Sequence, residues 1–169
     1  MKHVFFVVDC SGSITADGSA AIGQINDLVR DAVEAALGND ADDVRVICYG
    51  NDAKLYWSND KGGFCDIPES KFGGRSNLGK AYELIRSMVT KGKIKSEDCA
   101  IALISDGEAT DDYKKALAAL DAQNRFYRVA ISIGNESWTT ERHASDADLS
   151  FKSLRDRDDF IDKIGEFLC

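Results

Sequence analysis

Apolar and polar positions along the chain alternate between two rhythms. Residues 3–8, "HVFFVV", are a continuous β-branched and aromatic run, the signature of a strand buried on both faces. Residues 19–37 place Ile22, Ile25, Val29, Ala32, Val33 and Ala36 on one helical stripe, with Gly38 where a C-terminal cap is expected. "VRVICYG" predicts a second strand and "AKLYWS" a third. Asn51-Asp52 between them reads as a two-residue hairpin turn, so the third strand is expected antiparallel to the second. Residues 59–75 hold four glycines and the only proline and read as a loop. "SNLGKAYELIRSMV" is amphipathic, with Leu78, Ala81, Leu84, Ile85 and Met88 on its apolar face. "CAIALIS" is another apolar strand, and "DYKKALAALDAQ" a helix that Thr110 or Asp111 can cap. "RFYRVAISIG" and "ADLSFK" follow as strands, and "RDDFIDKIGEFL" as a closing helix.

The predicted order is strand, helix, hairpin, helix, strand, helix, strand, helix, strand, helix. It specifies an α/β fold of three layers: a central, mainly parallel six-stranded Rossmann-like sheet, one antiparallel edge strand, and helices on both faces. Length, 169 residues, suits one domain spanning 1–169, and no repeat, linker or second domain is expected.

Composition narrows the function. Acidic residues outnumber basic ones by 29 to 21, which argues against a nucleic-acid binder needing a basic face. No apolar window approaches a membrane span, and the short N-terminal run lacks a signal-peptide pattern. Five widely spaced cysteines without a CxxC pair fit a reducing cytoplasm, with Cys48 and Cys99 as small apolar residues and the terminal Cys169 exposed.

In open α/β sheets, ligands bind at the carboxyl ends of the strands. Three polar clusters fall there. Asp9, Ser11 and Ser13 follow the first strand, Ser76 opens the helix after the glycine loop, and Asp106 follows "CAIALIS". If these strands are neighbours, five hard oxygen ligands converge, a set suited to Mg²⁺. Spacing of two puts the Ser11 and Ser13 hydroxyls on one side, and Gly12 allows a tight bend between them. Each residue also has an ordinary alternative: turn formers at Asp9, Ser11 and Ser13, an N-cap at Ser76, a turn pair at Asp106-Gly107, and caps or solvated charges at Asp111 and Asp112. Arg75 reads equally as a solvated loop residue or a contact for an acidic partner. Trp57 is assigned to packing, as is Trp138 unless its polar loop makes it a contact. His3 and His143 lack ligand-like spacing.

"DCSGS", "SNLGKA" and "LISDGEATDD", in this order, resemble the von Willebrand factor A-type domain with its metal-ion-dependent adhesion site. They are most similar to compact stand-alone bacterial and phage-associated forms, including the type linked to tellurium resistance. The resemblance implies Ser11 and Ser13 as direct metal ligands, Asp9 and Asp106 as direct or water-mediated ligands, and Ser76 at a position where the family has Thr. It implies Mg²⁺, with Mn²⁺ or Ca²⁺ as alternatives, and a protein partner offering Glu or Asp to the open coordination position. The expected function is a non-enzymatic, metal-dependent interaction module, an adaptor in a bacterial or phage-related stress or defence system. Asp9 and Ser11 are expected near the surface. The alternative is a Mg²⁺-dependent α/β phosphotransferase or phosphatase with Asp9 as nucleophile and Arg75 or Lys80 near the phosphate, although Walker A and GxGxxG patterns are absent.

Overall fold

The structure is a computed structural model, described here for residues 1–15, 20–106, 109–122, 126–133, 147–151 and 154–169. Its elements are β1 His3–Asp9, α1 Ala20–Gly38, β2 Asp43–Tyr49, β3 Ala53–Ser58, α2 Leu78–Gly92, β4 Cys99–Ser105, α3 Tyr113–Leu120, β5 Tyr127–Ile133, β6 Ala147–Phe151 and α4 Leu154–Leu168. The six strands form one sheet in the order β3-β2-β1-β4-β5-β6, parallel except for β3. The helix expected between the last two strands falls on residues 134–146, outside the described residues, as do Trp138 and His143.

β1 lies mid-sheet because every residue in it can be buried. Its side chains alternate between two cores: Val4, Phe6 and Val8 join α1 and α4 residues, while Phe5 and Val7 join α2 and α3 residues. Each such side chain, fully withdrawn from water, contributes about 1.5–3 kcal/mol. Parallel pairing of β1 with both β2 and β4 brings the ends of three strands to one edge of the molecule.

Several local expectations are corrected. Gly38 remains inside α1; the left-handed residue is Asp40, at φ 65°. The Ala41 N–H reaches the Ala36 carbonyl at 3.1 Å and the Asp40 N–H the Leu37 carbonyl at 3.2 Å, a Schellman ending whose left-handed residue comes after Gly38 rather than at it. The β2–β3 turn takes in Gly50 as well as Asn51-Asp52, and its strands shift register at Val46/Ile47. The N-cap of α3 is Asp112, whose carboxylate accepts from the Lys115 N–H. Trp57 is buried and packs edge-on against Phe64, and His3 pairs with Asp43 at 2.8 Å.

The glycine loop is pinned at mid-length. Asn26, buried on α1, donates to the Ile67 carbonyl at 3.0 Å and accepts its N–H at 2.7 Å. The Tyr56 hydroxyl lies 3.0 and 2.7 Å from the Cys65 and Asp66 carbonyls. These contacts give the loop backbone the partners it cannot obtain from a sheet.

Candidate functional site

All five oxygen-bearing residues singled out from the sequence lie at the carboxyl edge of the sheet, and hydrogen bonds join them into one cluster. β1 delivers Asp9 and β4 delivers Asp106 from adjacent strands, because Val8 pairs with Ile104. Asp9 carries the side-chain parity of Phe5 and Val7, so it faces the α2 side. There its Oδ1 accepts the Ser11 N–H at 2.9 Å, and its Oδ2 accepts the Ser105 hydroxyl at 2.9 Å and the Ser76 hydroxyl at 3.4 Å. The Ser11 and Ser13 hydroxyls are 2.9 Å apart, and Ser13 donates to Asp106.

Asp9 is fully buried and Ser11 is 1 % exposed, so neither sits near the surface as expected. The outer members are Ser13, exposed, and Asp106, half-buried. Burial, with the Asp106 charge second, pushes Asp9 up from its ordinary 3.8 to about 6. Hydrogen bonds from Ser11 and Ser105 pull the other way.

Ser76 is not an N-cap. α2 begins after Asn77, and the Ser76 side chain turns inward, 4 % exposed. Thr110 fixes it: its hydroxyl accepts the Ser76 N–H at 3.0 Å and donates to Asn77 Oδ1 at 2.9 Å, while its N–H bonds the Ser76 carbonyl at 2.8 Å. Asp111 likewise leaves its expected capping role and accepts the Gly79 N–H at 3.1 Å, tying the loop after β4 to the first turn of α2.

The loop after β1 is held from the glycine loop. The Gly12 N–H bonds the Gly74 carbonyl at 3.0 Å, and the Gly73 N–H bonds the Cys10 carbonyl at 2.8 Å. The backbone demand expected at Gly12 falls on Gly74, at φ 78°, where an added Cβ would lie 2.6 Å from Asn51 Oδ1. Asn51 is itself bound, accepting the Arg75 N–H at 2.9 Å. Arg75 is exposed.

The sequence gives Ser105 no role, and it puts Thr110 at a helix cap, Asn51 in a hairpin turn and Gly74 in a loop rather than at the site. Ser105 had a faint signal: it ends an apolar run immediately before Asp106, as Asp9 ends the run of β1. Among the described residues no three His, Cys, Asp or Glu side chains come together as a metal cage. The cluster instead combines two carboxylates with hydroxyls, a hard, oxygen-only donor set that fits Mg²⁺ or Mn²⁺ and offers nothing to a soft metal. Two carboxylates at the ends of adjacent strands, one raised by burial and then by the charge of the other, are what a dication would relieve.

A family model for the von Willebrand factor type A domain matches residues 4–108. No curated protein matches the chain by sequence. Solved structures share the fold. Proximal thread matrix protein 1 of mussel byssus is 15% identical with a TM-score of 0.74, over 100% of this chain and 48% of its own. The chain thus spans about half the length of that protein. The conserved hypothetical protein BatB from Bacteroides thetaiotaomicron is 16% identical with a TM-score of 0.71, over 99% of this chain and 98% of its own. The manganese-loaded TRAP protein of Plasmodium vivax is 14% identical with a TM-score of 0.61, over 100% of this chain and 74% of its own.

Proposed function

The chain belongs to the von Willebrand factor type A domain family, and from that premise we propose that it is a metal-dependent protein-binding module. Members of the family often mediate protein–protein interaction or adhesion. In this reading Asp9, Ser11, Ser13, Ser76 and Asp106 form a metal-ion-dependent adhesion site for Mg²⁺ or Mn²⁺, with Ca²⁺ the third choice. The bound dication supplies positive charge that a Glu or Asp carboxylate of a partner protein can meet. The chain's own residues hold the donors in place: Ser105 orients the Asp9 carboxylate, Thr110 locks Ser76, and Gly74 fixes the Gly12 backbone between the two serines.

One observation carries the reading. Side chains from three separate segments bring two carboxylates and three hydroxyls together, and the inner carboxylate is fully buried beside the charge of Asp106. Such an arrangement is costly unless a positive ion completes it. The manganese in the Plasmodium relative is consistent with a divalent ion in this fold. An enzymatic role for Asp9 fits less well. A nucleophile must reach its substrate, and Asp9 lies beneath Ser11, Ser76 and Ser105. Lys80 is turned towards Glu83 at 3.8 Å. The motif resemblance further supports an adaptor of the tellurium-resistance-associated type, working in the cytoplasm beside bacterial or phage stress and defence proteins.

The test is calorimetric titration of metal-stripped protein with Mg²⁺ and Mn²⁺, beside an Asp9→Ala, Ser11→Ala double variant, followed by partner capture with metal or with chelator. One-site binding lost in the variant, and capture lost in chelator, are expected. Capture that is indifferent to both chelator and variant would refute the metal-dependent module.

A further inference from the structure

We propose that the cavity between the C-terminal ends of α2 and α3 binds a small organic anion with an apolar body, at the edge of the sheet opposite the Asp9 cluster. The cavity has a volume of about 700 Å³, within the range of small-molecule sites. It exists because the two helices differ in length. Their first turns lie side by side: Asp111 accepts the Gly79 N–H, and a Cβ on Gly79 would come within 3.4 Å of Tyr113 Cα. From that common start α3 runs for 8 residues and α2 for 15. At ~1.5 Å per residue, the end of α2 outruns α3 by about 10 Å. The space beside that overhang is the cavity.

Its lining separates apolar from charged groups. Leu120 and Phe126 form a buried floor. Ile94 closes one side because the chain turns back after α2: Lys93 is left-handed at φ 51°, and the Ile94 N–H bonds the Val89 carbonyl at 3.0 Å. Arg86, Lys93 and Lys95 line the cavity and are exposed, against Glu97 as the one acidic lining residue. None of the three cations has an ion-pair partner among the described residues. In a chain with a net charge of −8, three unpaired cations around one concavity favour an anion. A cation at the end of a helix offsets its dipole, which explains Lys93. It does not explain Arg86, nearly two turns earlier.

One group in the wall is unsatisfied. Ser96 is 9% exposed and its hydroxyl has no hydrogen-bond partner among the described residues. A buried hydroxyl without a partner is uncommon, and an acceptor brought into the cavity would lower its cost. The lining thus fits a molecule whose apolar body rests on Leu120, Phe126 and Ile94 and whose carboxylate, sulfonate or phosphate meets the cations. β4 separates this cavity from the cluster at its other end. Seven residues at ~3.3 Å each put the two about 20 Å apart, so occupancy of the cavity needs neither the metal nor a partner's carboxylate.

The experiment titrates the full chain with 8-anilinonaphthalene-1-sulfonate, an aromatic body carrying one anionic group, and follows its fluorescence. Saturable one-site binding is expected, with amide shifts in proton–nitrogen spectra centred on Ile94, Lys95, Leu120 and Phe126. N-phenyl-1-naphthylamine, the same body without the sulfonate, should bind at least about fivefold more weakly. Arg86→Gln and Lys93→Gly should each weaken the sulfonate about fivefold, the upper end for an exposed ion pair. Lys93→Gly is the sharper variant: glycine suits φ 51°, so the fold is kept while the site loses a cation. Lys114→Gln makes the same charge change on an exposed residue of α3 outside the cavity and should alter nothing. No saturable binding, or shifts centred elsewhere, overturns the site. Equal affinity for the uncharged analogue, or an equal loss in Lys114→Gln, overturns its preference for an anion. The titration is run in chelator, so its outcome is independent of the proposed metal site.

Discussion

Asp9 and Asp106 stand at the ends of neighbouring strands, yet they are held in opposite ways. Asp9 is fully buried under hydroxyls from Ser76 and Ser105 and the backbone N–H of Ser11. Asp106 is half-buried and meets the exposed hydroxyl of Ser13. The inner half is held from the loop after β1, the segment before α2 and the end of β4, whereas the outer half faces solvent. A site divided this way separates two tasks: the inner half fixes a position in space, and the outer half leaves room for something to arrive.

Four experiments bear on the contrast. Asp9→Asn should cause the largest change, lowering Mn²⁺ affinity by more than about a hundredfold, beyond the range seen when only a supporting residue is lost. Calorimetric titration measures it. The amide keeps an acceptor for the buried donors, so the fold should survive; an unchanged affinity would mean that the inner half holds no metal.

Next comes pH. The folded state raises Asp9 from 3.8 to about 6. Above pH 6 the folded protein therefore holds an ionised group it disfavours, at a cost of about 3 kcal/mol. That cost is relieved as pH falls from 6 towards 4, because the folded state then binds the proton more tightly than the unfolded chain. Metal-free protein should show this contribution as a rise in melting temperature between pH 7.5 and 5.5 relative to Asp9→Asn, with the metal-loaded protein lacking it. Parallel melting curves for the metal-free protein and the variant across this range would count against a buried, uncompensated Asp9.

Gly74→Ala should cost about 1–3 kcal/mol in chemical denaturation, since a side chain at φ 78° is strained and meets Asn51. Ser13→Ala should leave the melting temperature unchanged and weaken Mn²⁺ about tenfold. If instead Ser13→Ala unfolds the protein, the outer half is structural and the distinction between the halves collapses.

The parts of the fold legible in the sequence are those written in contiguous residues. "HVFFVV" and "CAIALIS" are so uniformly apolar that only central strands can bury them, and DCSGS carries its polar spacing in five consecutive positions. Ser105 was hidden because its role depends on the register of β4 against β1, which no local pattern encodes. Thr110 was hidden for a similar reason: it acts on Ser76 from a loop far along the chain. Gly12 attracted the conformational argument because it lies between two serines, but the left-handed backbone is at Gly74, where only the fold brings Asn51 alongside. Asp40 closes α1 in a conformation usually left to glycine, so a glycine-based reading ended the helix too early.

The clamp between Asn26 and Ile67 divides the loop between β3 and α2 into two segments with separate fates. Lengthening a loop costs little entropy, about 0.6 kcal/mol for each doubling. Insertions among the exposed Lys61, Gly62 and Gly63 would enlarge only a bow on the surface, its far end still anchored at Phe64 and Ile67. A single residue added between Pro68 and Arg75 would push Gly74 out of line with Gly12. One segment is thus open to evolutionary length variation and can diversify, while the other is locked to the geometry of the cluster.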